Sequence, residues 1–223
     1  MDVYVKEKLN WAFTCFDMWG GLGGGLERKT NEQRKLERPL LDFLTKWFLK
    51  VRHQFREFIP FDDPRDVPSN FKMINTPIDA VDTLWEIGIE LKSSNTDWGK
   101  LVYGTGGFWM QQVKVDHFRR LCGVSSPCRH PLLGGWVVYY RPEGTVYAMS
   151  VSRFEKLKKY NDELSPDFEH LAGRYPAIHD TERCRITVDP AHPGNWVVPV
   201  RFWARLGNYR TGELLSLPDG LHV

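Results

Sequence analysis

Our prediction of the fold starts from the stretch PIDAVDTLWEIGIELKSS, residues 77–94. From Ile87 to Lys92 every second residue is a large aliphatic one, which is the pattern of a β-strand with one buried face. Glu90 and Lys92 occupy the opposite face, because residues two apart on a strand point the same way. The stretch therefore predicts a strand that carries a carboxylate and an ammonium group side by side.

A second carboxylate precedes this strand. Asp79 lies in the apolar run Pro77–Val81, which we interpret as the neighbouring strand, so strand pairing would bring Asp79 close to Glu90. Two carboxylates suit Mg²⁺, a hard cation that prefers oxygen ligands, polarises phosphate and lowers the pKa of a bound water. A nearby lysine such as Lys92 can orient that water or stabilise charge that develops during the reaction. Phosphodiester hydrolysis needs a set of groups close to this one.

Two other interpretations of these charges stay open. Asp82 could replace Asp79 as the first carboxylate, although its shorter separation from Glu90 leaves less room for a turn. Glu90 and Lys92 could also be an ordinary ion pair in water, worth less than about 1 kcal/mol. We favour the functional interpretation, because charges inside an apolar strand are costly unless they are partnered or bound to a metal. The same Glu-x-Lys spacing at Glu27 lies between a glycine run and a helix, where its two charges point to different sides.

The composition is that of a globular protein with a mildly basic charge. The chain has 223 residues, of which 42% are hydrophobic and 26% charged, so it is able to bury a core. A net charge of +2 permits an anionic partner without arguing strongly for one. The four cysteines fit no standard zinc spacing and are predicted to be free thiols. Because no secretory signal and no apolar run of about 18 residues is visible, we expect a cytoplasmic protein that does not enter a membrane.

The elements around this strand pair predict an α/β fold. An apolar stripe indicates a helix from about residue 26 to 58, and FWMQQVKVDHFRRLCG, residues 108–123, has the period of a second helix. The segment GWVVYYRPEGTVYAMSV, residues 135–151, predicts a hairpin, which a third helix follows. We expect a central mixed sheet flanked by helices. The predicted segments are a helical, glycine-rich part (1–25), the core (26–165) and a β-rich C-terminal extension (166–223).

These features resemble the PD-(D/E)XK nuclease superfamily, whose fold is called restriction-endonuclease-like. The resemblance covers roughly residues 26–160 and rests on Asp79, Glu90 and Lys92 together with the order of the elements. The proline-aspartate pair of the family is loosened here to Pro77-Ile78-Asp79. The resemblance implies a Mg²⁺-dependent DNA endonuclease in which Mn²⁺ could replace Mg²⁺. It also allows a homodimer, because cutting two strands requires two sites.

Further roles follow from the resemblance alone. Asp79 and Glu90 would be the metal ligands, and Lys92 would handle the attacking water. Many relatives place a glutamate on the first core helix facing the metal, and Glu37 or Glu27 could fill that place, although a solvated helix charge is the commoner case.

The helix after the catalytic strand carries further candidates. Gln112 and Lys114 resemble family positions that touch the active site or the phosphate backbone, and Gln111 is an equal candidate for the place of Gln112. His117 follows one turn after Lys114 and is expected to be a surface histidine with only a weak claim to the site.

The predicted DNA-binding surface is more diffuse. Positive and aromatic side chains could contact phosphates or stack on bases, although such residues are more often solubilising charges or core aromatics. The candidates are Arg119, Arg120, Arg201, Trp203 and Arg205, the last three on one face of the predicted strand WVVPVRFWARL, residues 196–206. The loosened motif and the modest net charge favour an alternative function, a non-catalytic nucleic-acid-binding or protein-interaction protein on the same fold.

Overall fold

The computed structural model describes the chain in separate stretches. They are residues 3–4, 6–9, 11, 31–61, 77–93, 107–124, 126, 128–162, 186–188 and 193–217, without the side chains of residues 31–36, 160–162, 187 and 201. Most of the predicted segment 1–25, including its glycine run, lies outside the described residues, and so does Glu27.

The described residues include three α-helices and ten strands with defined bounds, and residues 3–4, 6–9 and 11 are helical as well. The helices are α1 (Asn31–Val51), α2 (Gln112–Leu121) and α3 (Val151–Asp162). The first six strands are β1 (Phe58–Pro60), β2 (Ala80–Asp82), β3 (Ile87–Ser93), β4 (Gly107–Gln111), β5 (Gly134–Tyr140) and β6 (Thr145–Ser150). The last four are β7 (Thr187–Val188), β8 (Asn195–Pro199), β9 (Ala204–Asn208) and β10 (Glu213–Leu214). Of the helices in these stretches, none is both long and apolar enough to cross a membrane.

The larger of the two sheets is mixed. Its seven described strands follow the order β1-β2-β3-β5-β6-β9-β10. Strands β1, β2 and β3 are antiparallel neighbours, whereas β3 and β5 are parallel, with Ile87 opposite Gly134 and Ser93 opposite Tyr140. A parallel pair needs a crossover connection, and α2 lies in the connection between β3 and β5. The predicted mixed α/β sheet flanked by helices is therefore confirmed.

The alternation along β3 separates two hydrophobic cores. Ile89 and Leu91 pack in one core with Leu44 and Trp47 of α1. The other core contains Phe118 of α2 together with aliphatic residues of β2 and β5. Because successive strand residues point to opposite faces, Glu90 lies on the side of α2. This arrangement brings the polar residues of β3 against the inner face of α2.

Two elements differ from the sequence prediction. Residues 107–111 form β4 and not the start of a helix, because this segment pairs with β8 and its alternate residues Phe108 and Met110 are buried. The predicted strand 196–206 is interrupted by a 3₁₀ turn at Val200–Phe202, which puts Phe202 and Trp203 into the core together. A period-2 pattern therefore misassigned the exposed face of this segment.

The C-terminal part of the chain is joined to both sheets. Strand β8 pairs with β4 in a sheet of order β4-β8-β7, and β9 pairs with β6 in the large sheet. The residues expected to form a β-rich C-terminal extension thus supply strands that extend the sheets of the core.

Candidate active site

Asp79 is held against β3 immediately before β2 begins. Its backbone N–H donates to the carbonyl of Ile89 at 2.9 Å, and its Oδ2 accepts a hydrogen bond from the N–H of Leu91 at 2.6 Å. The side chain therefore takes the place of a backbone acceptor where the ladder between β2 and β3 ends. The main chain of Asp79 is thus bonded to the residue before Glu90, and its carboxylate is bonded to the residue after Glu90.

Glu90 is buried and contacts two lysines. Only 1% of the residue is exposed. Its Oε1 lies 2.8 Å from Nζ of Lys92, and its Oε2 lies 3.0 Å from Nζ of Lys114 on α2. The contact at Oε2 is ionic without hydrogen-bond geometry, so among the described residues Oε2 is a buried carboxylate oxygen without a hydrogen-bond partner. We call Asp79, Glu90, Lys92 and Lys114 the charged quartet.

The electrostatics of the charged quartet show that its members act on one another. Burial raises the pKa of Glu90, and the charge of Asp79 raises it further. The ammonium groups of Lys114 and Lys92 act in the opposite direction and lower the pKa of Glu90. Two ammonium groups thus offset the effects of burial and of Asp79 on the pKa of Glu90, and a divalent metal would act in the same direction as the ammonium groups.

Helix α2 also holds the segment that carries Asp79. The ring Nδ1 of His117 lies 2.8 Å from the carbonyl oxygen of Pro77, and Nζ of Lys114 lies 3.4 Å from the same oxygen. Burial lowers the pKa of His117 to about 4, so the ring is neutral at neutral pH and Nδ1 is the protonated nitrogen that donates. The predicted surface histidine is therefore wrong, because His117 is buried against the strand segment.

Aromatic side chains lie beside the charged quartet on the side of β5. Tyr139 lies opposite Lys92 in the parallel register and donates its hydroxyl to the carbonyl of Trp109 at 2.7 Å. Its ring stacks on Phe108 with a centroid distance of 4.3 Å. Burial and the charge of Glu90 raise the pKa of Tyr139. Tyr139 was not among the predicted site residues, because the register of a parallel pair depends on a crossover that sequence periodicity does not reveal.

Asp82, the rival for the first carboxylate, serves the turn between β2 and β3. It is 0% exposed, and its Oδ1 accepts hydrogen bonds from the N–H groups of Glu86 at 2.6 Å and Ile87 at 2.8 Å. Its Oδ2 lies 2.6 Å from a guanidinium nitrogen of Arg56. Both oxygens are thus used by the turn and by Arg56, whereas Asp79 is the carboxylate beside Glu90.

The contacts described for two predicted residues, Gln112 and Glu37, involve residues outside the charged quartet. The side-chain amide of Gln112 donates to Asp116 at 2.9 Å and accepts from the indole N–H of Trp196 at 3.3 Å. Gln111, its alternative, ends β4 opposite Asn195. Glu37 is half-buried on α1, which packs against the face of the sheet opposite to Glu90.

The candidates for DNA contact have diverse surroundings. Lys114 is 5% exposed and Trp203 is 4% exposed, so neither presents a surface to a nucleic acid. Arg119 pairs with Asp116 and Glu155, as Arg205 does with Glu213. Arg120 is half-buried, and the side chain of Arg201 lies outside the described residues.

A cavity of about 680 Å³ lies at the other end of the same strands. It is bordered by the first residues of β3 and β5 and by the start of α3. Its charged residues include Arg56 with Glu86 and Arg119 with Glu155, which form ion pairs. None of the residues that line this cavity belongs to the charged quartet.

Comparison with known proteins gives no family for the chain, since no family model, curated protein or solved structure matches it. Within the stretches that the structure describes, no three residues of the types His, Cys, Asp and Glu are grouped as a metal site. A metal at the charged quartet would therefore have two protein carboxylates from these stretches, which is the number that Mg²⁺ commonly takes beside water and phosphate.

Proposed function

We propose that this chain is a Mg²⁺-dependent endonuclease that hydrolyses phosphodiester bonds in DNA on a restriction-endonuclease-like fold. The observation that carries the proposal is the position of Asp79 beside Glu90. Asp79, immediately before β2, accepts a hydrogen bond from the N–H of Leu91, the residue after Glu90, and Nζ of Lys92 lies 2.8 Å from Oε1 of Glu90. Two acids and an amine at one place are the groups that the sequence resemblance to PD-(D/E)XK nucleases implies for the reaction.

The topology supports the same proposal. Helix α1 precedes the antiparallel strands β1, β2 and β3, and α2 crosses over to β5, which is parallel to β3. Apart from β4, which belongs to the smaller sheet, this sequence of helix, three strands, helix and strand is the order of elements on which the resemblance rests. The candidate residues lie within it, on β3 and immediately before β2.

The residues present fit a hard divalent cation. Asp79 and Glu90 would hold Mg²⁺, and Oε2 of Glu90 is a buried oxygen that lacks a hydrogen bond. Burial and the charge of Asp79 raise the pKa of Glu90, and a cation held by the two acids would oppose both effects. When bound, Mg²⁺ would supply Lewis acidity toward a phosphate and a water of lowered pKa.

The side chain of Lys92 contacts the buried Glu90 and is also partly exposed to solvent. Its side chain is 27% exposed while its ammonium contacts Oε1 of Glu90. From this position the ammonium can donate to an incoming phosphate oxygen or orient a water beside it. Lys92 thus has the access to substrate that the buried Lys114 lacks.

The alternative is a non-catalytic nucleic-acid-binding or protein-interaction protein on the same fold. One observation favours it: two ammonium groups already balance the two carboxylates of the charged quartet. Such a cluster has no net charge without a metal, so it would persist in a protein that had lost the chemistry.

The test is DNA cleavage by the purified chain. Plasmid, branched and single-stranded DNA are incubated with Mg²⁺, Mn²⁺ or EDTA, beside Glu90→Gln and Lys92→Met variants. We expect metal-dependent cutting that falls by at least about 100-fold in both variants. Glu86→Gln is the matched control, because it removes a nearby carboxylate that pairs with Arg56 outside the charged quartet. Binding without cutting would support the alternative, and equal cutting by all variants would refute the assigned site.

A further inference from the structure

Lys114 is a buried cation that contacts both segments bearing the carboxylates. Its ammonium lies 3.0 Å from Oε2 of Glu90 and 3.4 Å from the carbonyl of Pro77, two residues before Asp79. Only 5% of the residue is exposed. A lysine is rarely buried to this extent unless an anion compensates it, so the position of Lys114 depends on the acids.

The two oxygens of Glu90 have different partners. Oε1 contacts the partly exposed Lys92, whereas the partner of Oε2 within the described part of the chain is Lys114, in a contact without hydrogen-bond geometry. The attraction at Oε2 is therefore one of charge, without a hydrogen bond to hold the two atoms together. A second cation at Oε2 would meet an ammonium group that is already in place.

We infer that Lys114 is a resident counter-cation that sets the metal affinity of the site. It stabilises Asp79 and Glu90 when no metal is bound, and its positive charge opposes a divalent ion at the same carboxylates. The inference rests on the proposed function, because it assigns Lys114 a role toward the metal. It replaces the role in DNA contact that the sequence suggested for this residue.

The first experiment measures Mg²⁺ binding without any substrate. Lys114→Met removes the charge at similar side-chain length, and Lys156→Met, at an exposed residue of α3, is the matched control. Isothermal titration calorimetry with MgCl₂ should give a dissociation constant for Lys114→Met that is about tenfold or more below that of the wild type. The control should retain the wild-type constant, and an unchanged or weaker constant for Lys114→Met would overturn the inference.

A second experiment measures the melting temperature in EDTA and in saturating MgCl₂. Lys114→Met should melt below the wild type in EDTA and gain more from Mg²⁺ than the wild type does, because the ion replaces the missing charge. The double variant Glu90→Gln/Lys114→Met should melt above Lys114→Met in EDTA, because the uncompensated acid is gone. Failure of Lys114→Met to fold even with Mg²⁺ would overturn the inference.

The failures of the two proposals are distinguishable. A wild-type chain that neither binds Mg²⁺ nor cuts DNA overturns the proposed function and this inference together. A wild-type chain that binds and cuts, beside a Lys114→Met variant of unchanged affinity, overturns only the role of Lys114.

Discussion

Asp79→Asn and Asp82→Asn should have opposite effects on stability and on DNA cleavage. Asp82→Asn places an amide NH₂ or a neutral oxygen against the Arg56 guanidinium, which lies 2.6 Å from Oδ2 in the wild type. Breaking a fully buried ion pair costs about 3 to 5 kcal/mol. Arg56 keeps its contact with Glu86 at 2.6 Å, so we expect a smaller loss of unfolding free energy, about 2 to 3 kcal/mol.

Asp79→Asn should change stability much less. The asparagine oxygen can still accept the hydrogen bond from the N–H of Leu91, and the repulsion between two acids is removed. We therefore expect an unfolding free energy within about 1 kcal/mol of the wild type. Cutting of DNA should nevertheless be lost, because Asp79 is one of the two proposed metal ligands.

Urea unfolding in EDTA, followed by tryptophan fluorescence, measures both stabilities without a metal contribution. Cleavage is then measured without urea, at a temperature at which Asp82→Asn is still folded. The expected result is a less stable variant that cuts and a stable variant that does not. If Asp79→Asn were the destabilised variant and Asp82→Asn the inactive one, the roles that we assign to the two residues would be wrong.

Three further predictions concern the surroundings of the site. Gly135→Ala should lower the unfolding free energy by about 1 to 3 kcal/mol, because an added Cβ would overlap the ring of Phe118, whereas Gly134→Ala meets no atom within 4 Å and should be near neutral in the same urea titration. His117 has a folded-state pKa of about 4, below its usual 6.5, so the wild type should lose roughly 2 to 3 kcal/mol relative to His117→Asn as the pH falls from 6.5 through 4. The asparagine can keep the donor to the main chain without titrating, and parallel pH profiles of the two proteins would contradict this prediction. Burial raises the pKa of the Cys122 thiol to about 12. A variant in which Cys122 is the only cysteine should therefore react with a thiol reagent at pH 8 only after urea is added. Rapid reaction of the folded protein would argue against this burial.

Local patterns predicted the part of the site that lies on one strand. The period-2 alternation from Ile87 to Lys92 put Glu90 and Lys92 on the same face, and their charged groups are indeed in contact. The same pattern could not choose between Asp79 and Asp82, because both precede the strand in an apolar setting. The choice depends on which side chain serves the turn, and hydrogen bonds of Asp82 to two backbone N–H groups decide it.

Contacts between distant segments account for the errors. Strand β4 forms because residues 107–111 pair with β8, which lies more than 80 residues later in the chain. The same long-range packing buries Trp203 against Phe108 and Tyr139, although the local alternation placed it outside. Sequence periodicity reports the environment of a segment only when the neighbouring elements are already known.

The role of Lys114 had a signal that the sequence analysis did not use. Lys114 lies four residues before Phe118 and seven before Leu121, which places it on the buried face of α2. A lysine on the apolar face of a helix predicts a buried anion nearby, and Glu90 was the available acid. The phase of the helix would therefore have favoured contact with the buried acid over contact with the phosphate backbone, the two roles that the resemblance left open for Lys114.

The cost of the charged quartet argues that it is kept for function. Buried ion pairs are often replaceable by apolar residues of similar size without loss of stability, so their contribution to the fold does not explain four charges in one place. A purely structural cluster would also be best closed to water, yet Lys92 reaches the surface while Glu90 remains buried behind it. If substitution of Asp79, Glu90, Lys92 and Lys114 by apolar residues gave a more stable chain that still cut DNA, this argument would fail. A more stable chain that no longer cuts would mean that stability is given up at this site for the chemistry.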